Sequence, residues 1–285
     1  MKSVLITGAG GQLGQDMVNT CKIRGIFAIA AKSKALDITS FTEVIAFLKK
    51  HPGIKAIINC AAYNAVDEAE QQWRKAFLVN GTGVRNLALA ANSLDVPLVH
   101  FSTDYVFDGK ATRPYTIVDT PNPINRYGKS KLLGEQYVRD LAHRYFLIRT
   151  SWVFGRGNSN FVKKVIEWSR EKDELSVVTD QVASPTYTVD LAVATIDLLD
   201  TELFGLYHIT NSGSCSRYAL AEYILEKMKW KGKLTPAKSK DFNSPADRPL
   251  YSVLDPFGTP ESINYNLPTW QDATDRFLRE IEVIA

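Results

Sequence analysis

An apolar run that meets spaced glycines and then turns at once into a helical pattern leaves a chain few folds. Here that run is Lys2-Ser3-Val4-Leu5-Ile6-Thr7-Gly8-Ala9-Gly10-Gly11-Gln12-Leu13-Gly14. Val4, Leu5 and Ile6 predict a short buried strand of the parallel type. Gly8, Gly11 and Gly14 recur every third residue, a variant of the G-x-G-x-x-G pattern. Gly8 permits the tight turn, Gly11 lets the backbone approach a pyrophosphate, and Gly14 lets the helix lie close to the strand. The N-terminus of that helix offers free N–H groups to phosphate.

The remainder of the first half repeats the alternation. Strands are predicted at 3–7, 26–31, 55–59, 96–101 and 145–149, with helices near 12–24, 40–50, 73–93 and 126–142. Strands alternating with helices imply right-handed crossovers, an α/β Rossmann-type doubly wound parallel sheet, and ligands at the carboxyl ends of the strands. Residues 1–155 read as a nicotinamide-dinucleotide domain to which 176–210 return, through a helix at 188–199 and a strand at 205–210. Residues 156–175 and 211–285 read as a smaller C-terminal substrate-binding lobe, with helices near 160–171, 217–228 and 270–282 and a strand near 175–178.

The chain has 285 residues and a formal net charge of +3 from 34 basic and 31 acidic side chains. That balance argues against a nucleic-acid or polybasic membrane partner. No apolar run approaches the ~20 residues of a membrane span. Met1-Lys2 precede the first strand directly, with no signal peptide in view. Cys21, Cys60 and Cys215 fit neither a disulfide framework nor a zinc site, so free thiols and a cytoplasmic location are expected.

Two positions speak to the cofactor and three to catalysis. The second strand ends in Ala30-Ala31-Lys32-Ser33-Lys34, where enzymes that choose NAD often place a carboxylate. Lys32 and Lys34 instead favour the 2′-phosphate of NADPH. Asp37 and Ile38, shortly after, are candidates to face the adenine. Tyr127 and Lys131 lie one helical turn apart at the start of the helix after the fourth strand. A phenol titrates near pH 10, and a cation beside it is expected to lower that value and ready it for proton transfer. Tyr223/Lys227 has the same spacing but sits inside a late amphipathic helix. Leaving the fourth strand, Thr103 or Ser102 presents a hydroxyl to a substrate carbonyl. In the smaller lobe, Arg248 of Ala246-Asp247-Arg248-Pro249 is suited to a diphosphate.

These motifs resemble the extended short-chain dehydrogenase/reductases that act on nucleotide sugars. More closely, the chain resembles the dTDP-4-dehydrorhamnose reductase family in Ser102-Thr103-Asp104-Tyr105-Val106-Phe107-Asp108-Gly109, in Tyr127-Gly128-Lys129-Ser130-Lys131-Leu132-Leu133-Gly134-Glu135 and in Arg149-Thr150-Ser151-Trp152-Val153-Phe154-Gly155. Asn59-Cys60-Ala61-Ala62-Tyr63-Asn64-Ala65-Val66-Asp67 and Leu267-Pro268-Thr269-Trp270 match it too. The resemblance implies Gly11, Gln12 and Leu13 at the pyrophosphate and Asp37 and Ile38 near the adenine. Ala61, Ala62 and Tyr63 would lie along the cofactor, Thr103 and Asp104 at the sugar, and Trp152 stacked on the substrate. Tyr127 would be the acid and Lys131 would hold the nicotinamide ribose. It further implies reduction of a dTDP-4-dehydro-6-deoxy sugar to dTDP-L-rhamnose for surface polysaccharide, with NADPH, or NADH as several members also accept. Some members are described as magnesium-linked homodimers through acidic residues. Of that set Gln15-Asp16 is found in the first helix and the rest is unmatched, so no metal ligands are assigned. Two other readings share the fold: a nucleotide-sugar epimerase or dehydratase, and a regulatory subunit of methionine adenosyltransferase.

Overall fold

Six parallel strands form the central sheet of the computed structural model, which describes residues 3–157 and 159–284. Met1 and Lys2, read above as leading into the first strand, lie outside the described residues. The sheet comprises β1 (Ser3–Thr7), β2 (Phe27–Ala31), β3 (Ala56–Asn59), β4 (Leu98–Thr103) and β5 (Tyr145–Thr150), with a strand at Gly205–His208 added late. Its order places β2 at one edge, then β1, β3, β4, β5, and the 205–208 strand at the other. The chain therefore reverses direction between β1 and β3, and the crevice at their carboxyl ends is where such sheets take ligands.

Alternation along each strand builds two cores. Val4, Ile6, Ile58, Val99 and Ile148 face α1 (Gln12–Ile23) and a later helix at Thr188–Thr201, whose Leu191 and Leu198 join them. Leu5, Ile57, Leu98 and Leu147 face the opposite side, covered by α2 (Phe41–Lys50) and by helices at Val84–Ser93 and Arg126–Leu141.

The single helix expected over 73–93 is broken. Two short helices, α3 (Val66–Gln71) and α4 (Trp73–Phe77), lead into a π-helical turn at Leu78–Gly83, and α5 (Val84–Ser93) follows. Asn80, Gly81 and Gly83 are poor helix formers, and neighbouring side chains pack into the space the glycines leave. A Cβ at Gly81 would lie 2.6 Å from a Leu133 methyl, and one at Gly83 would lie 2.8 Å from the end of Ile38.

From the helix at Arg126–Leu141 onward the chain divides between the central sheet, which takes that helix, the one at Thr188–Thr201 and the strand at Gly205–His208, and a second lobe. After α6 (Arg126–Leu141) come β6 (Val153–Phe154), α7 (Phe161–Glu171), β7 (Glu174–Val178), β8 (Val182–Ala183), β9 (Thr186–Tyr187) and α8 (Thr188–Thr201). Next are β10 (Gly205–His208), β11 (Cys215–Ser216), α9 (Arg217–Lys227), β12 (Lys233–Ala237), α10 (Thr259–Ile263) and α11 (Trp270–Glu280). Three two-stranded pairs form, β6 with β9, β7 with β12 and β8 with β11; of these strands only β7, expected near 175–178, was foreseen, and the two-residue strands leave no periodicity to read. Val162, Ile166, Ile224, Trp270 and Phe277 form this lobe's own core. Among the described residues no helix is long and apolar enough to cross a membrane.

One ion pair ties α6 to the sheet. Arg149 on β5 and Glu135 on α6 are both fully buried, and the fork donates to the carboxylate at 2.9 and 2.7 Å. Ser102 on β4 donates to the same carboxylate at 2.6 Å. Removing Glu135 leaves the buried Arg149 charge uncompensated, so Glu135→Ala is expected to cost about 3–5 kcal/mol in urea unfolding, and Arg149→Ala less, because Arg139 still reaches Glu135 at 3.5 Å. The double variant should cost less than the sum of the two; an additive result would show that the charges act independently.

Candidate functional site

Four strand exits and the start of α6 meet around one cavity of about 360 Å³. The first exit is the glycine turn. Gly8 has φ +64°, and a Cβ there would strike the backbone of Ala61, just past β3. A Cβ at Gly14 would meet Gly8 O and lie 2.8 Å from Ala9 Cα. The turns after β1 and β3 thus touch, and only glycine permits it. Gly11 is the N-cap of α1 and supplies no side-chain cap, so the first N–H groups of that helix are left to a ligand. Gly11, Gln12 and Leu13 line the cavity, as do Ala61 and Ala62 across from them.

Asparagines hold these turns. Asn59 Oδ1 accepts from Thr7 Oγ1 at 2.6 Å and from Ala61 N at 3.1 Å. From the π turn, Asn80 accepts from Tyr63 N at 2.8 Å and donates to Tyr63 O at 3.0 Å and to Ser130 Oγ at 2.9 Å. Neither role was found from sequence. For Asn80 the signal was an Asn-Gly-Thr-Gly run inside an otherwise helical pattern.

The start of α6 is clamped to the exit of β4. Asn125 caps the helix by accepting from Gly128 N at 2.7 Å. Gly128 presses on the Tyr105 carbonyl so closely that a Cβ would strike it. This contact brings Tyr127 within hydrogen-bond reach of Thr103 and sets its ring edge-on to Tyr105, centroids 5.9 Å apart. One turn on, Lys131 is 2% exposed and its ammonium donates to Phe101 O at 2.5 Å. Thr103, Asp104, Tyr127, Lys131 and Trp152 all line the same cavity.

The electrostatics differ from the expectation in one respect. Lys131 addresses a carbonyl rather than the phenol, and the Tyr127 pKa rises well above its usual value. Burial is the main cause; the Asp104 charge and Tyr105 add to it, and the Thr103 hydrogen bond opposes it. The phenol is therefore held protonated at neutral pH. Burial pulls the Lys131 ammonium down to about 8, and the Glu135 carboxylate works against that fall. Burial also pushes Asp104 up to about 6, opposed by hydrogen bonds from Ser252 and Thr103. Ser252 Oγ donates to its Oδ2 at 2.5 Å, and Thr103 Oγ1 to its Oδ1 at 3.1 Å.

Other expected residues lie outside this cavity. Lys32 is exposed, with its side chain 3.7 Å from where a Cβ on Gly10 would sit, beside the glycine turn. The Asp37 carboxylate accepts from Thr39 N and Oγ1 at 2.9 and 2.8 Å, and Ile38 is buried beneath Gly83. Tyr63 donates from its hydroxyl to Glu68 at 3.1 Å. Arg248 lines a second cavity of about 970 Å³, but its guanidinium is paired with Asp67 at 2.7 Å. Asp16 is buried and accepts from Thr188 Oγ1, so its carboxylate faces α8 rather than an exposed surface. Trp152, by contrast, does line the first cavity; it has φ +43°, and the Arg217 guanidinium covers its ring at 3.6 Å.

Comparison with known proteins places this geometry. Residues 1–283 match the model of the RmlD substrate binding domain. A curated relative, the spore coat polysaccharide biosynthesis protein SpsK of Bacillus subtilis, is 40% identical over 98% of each chain. The crystal structure of a dTDP-4-dehydrorhamnose reductase from Clostridium acetobutylicum superposes with a TM-score of 0.95 at 40% identity, covering 98% of this chain and 99% of that one. One from Bacillus anthracis, in complex with NADP, gives 0.94 at 39% identity, covering 98% and 100%. On the strength of the full-length match and these relatives, the chain belongs to the RmlD substrate-binding-domain family.

Proposed function

We propose that this protein is a dTDP-4-dehydrorhamnose reductase. It would reduce the C4 keto group of dTDP-4-dehydro-L-rhamnose to give dTDP-L-rhamnose, with NADPH as reductant. The observation that carries this reading is the convergence of Thr103, Tyr127 and Lys131 with Gly11–Leu13 on one cavity at the strand ends. The names of the Clostridium and Bacillus anthracis structures support the reaction, and the NADP in the latter supports the cofactor. The name of SpsK supports a role in polysaccharide assembly.

The chain's residues fit a nicotinamide dinucleotide. The uncapped start of α1 and the glycine turn suit the pyrophosphate, and Lys32 beside that turn suits a 2′-phosphate. Bound there, the reduced nicotinamide supplies a hydride to the carbonyl carbon. As charge develops on the carbonyl oxygen, Tyr127 donates its phenolic proton to it. A raised phenol pKa serves that direction, because the group enters the reaction as an acid. Thr103 turns its O–H from Asp104 toward the same oxygen and adds a second donor. Lys131, fixed by Phe101 O, holds the ribose and offers a positive charge to the phenolate left behind.

Two outcomes are expected. Tyr127→Phe should lower kcat by about 10²–10⁴-fold, the usual worth of a positioned acid, with cofactor affinity retained in fluorescence titration; near-normal turnover would remove Tyr127 from the chemistry. The wild-type pH–rate profile should fall above about pH 8 as Lys131 loses its proton. The Glu135 carboxylate favours the charged ammonium, so Glu135→Gln should move that limb to lower pH. A limb that stays in place would separate it from Lys131.

A further inference from the structure

The two cavities join at a neck. Val66, Tyr105, Ser159, Asn160, Phe161 and Arg217 line both of them, and Arg217 is the one charged residue of the six. A nucleotide sugar whose keto carbon reaches Tyr127 in the smaller cavity has its nucleoside in the larger one. The two negative charges linking sugar to nucleoside then pass through the neck. We propose that Arg217 is the residue that binds the substrate's diphosphate, and so sets the preference for nucleoside diphosphates over uncharged nucleosides. This rests on the nucleotide-sugar reading above.

Three observations support it. The Arg217 guanidinium stacks on Trp152 at 3.6 Å and on Phe161 at 4.5 Å, which fixes its plane while leaving its N–H fork without a hydrogen-bond or ion-pair partner among the described residues. Arg248, the arginine singled out from sequence, already spends its fork on Asp67. Arg217 also opens α9, an 11-residue helix, where its charge adds to the positive end of the dipole instead of opposing it. The Asp104 carboxylate offsets part of that cost through space, and a bound diphosphate would offset more. Burial lowers its pKa only to about 10, so it stays charged at neutral pH. A planar guanidinium on two aromatic faces is pre-organised for the bidentate grip that phosphate oxygens offer.

The test is calorimetric titration of the full-length protein with dTDP and with thymidine. Arg217→Met is expected to raise the Kd for dTDP at least tenfold while the Kd for thymidine stays within twofold and NADP⁺ affinity is unchanged. Arg217→Lys, which keeps the charge but not the fork, should fall between. Should Arg217→Met fail to fold, Arg217→Lys and Arg217→Gln provide the same contrast, charge kept against charge removed. Wild-type affinity for dTDP in the Met or Gln variant would overturn the proposal. So would equal losses for dTDP and thymidine, which mark a packing role, or a loss confined to Arg248→Met measured alongside. Turnover of the keto sugar by the wild type tests the reductase reading separately: without turnover that reading fails, whereas the ratio of dTDP to thymidine affinity still decides the role of Arg217.

Discussion

Glu135 accepts from a serine on β4 and an arginine on β5 while belonging to α6, and the geometry of the reactive groups follows from that three-way contact. An α-helix can slide or rotate on a sheet whose facing residues are all aliphatic. A buried carboxylate with three charge-assisted or hydroxyl donors allows one register. With Glu135 fixed, Lys131 lies one turn earlier on the same face and Tyr127 two turns earlier. Gly128 then sets the depth, because its missing side chain lets the helix settle against the Tyr105 carbonyl. Tyr127 meets Thr103 because helix and strand exit are locked together at both levels.

Much of this was legible in the chain and some was not, for physical reasons. Val4-Leu5-Ile6 before Gly8, Gly11 and Gly14 carried the fold, since few arrangements need glycine at that interval after a buried strand. Tyr127, Lys131 and Thr103 could be picked out because each sits just past a strand or in the helix that follows one. Glu135 and Arg149 were inside recognised motifs, but a lone carboxylate and a lone arginine 14 residues apart give no sign that they pair. The π turn was hidden because Leu78, Val79 and Val84 continue the helical pattern around Asn80. Arg217 opens a late helix whose glycine-poor surroundings look ordinary, and only the join between two cavities gives it meaning. Arg248 drew attention through its flanking proline, yet its partner Asp67 is 181 residues away in sequence.

The electrostatic pattern points the chemistry in one direction. A buried phenol above its usual pKa stays protonated at rest, beside a carboxylate that burial raises to about 6 and that is still largely ionised at neutral pH. Charge that appears on a substrate oxygen there is met by a proton donor, a hydroxyl and a nearby ammonium. That is the arrangement a carbonyl reduction needs. Trp152, held at positive φ past β5, and Arg217 stacked on it stand where this region opens into the larger, lysine-bordered cavity.

Isotope transfer tests the convergence on one reduced ring most directly. The protein is incubated with dTDP-4-dehydro-L-rhamnose and NADPH carrying deuterium at both C4 positions of the nicotinamide, and the product is analysed by mass spectrometry and NMR. Hydride delivery beside Tyr127 predicts one deuterium at sugar C4 for each NADP⁺ formed. Product without deuterium at C4, or NADPH left unconsumed while the sugar changes, would contradict it.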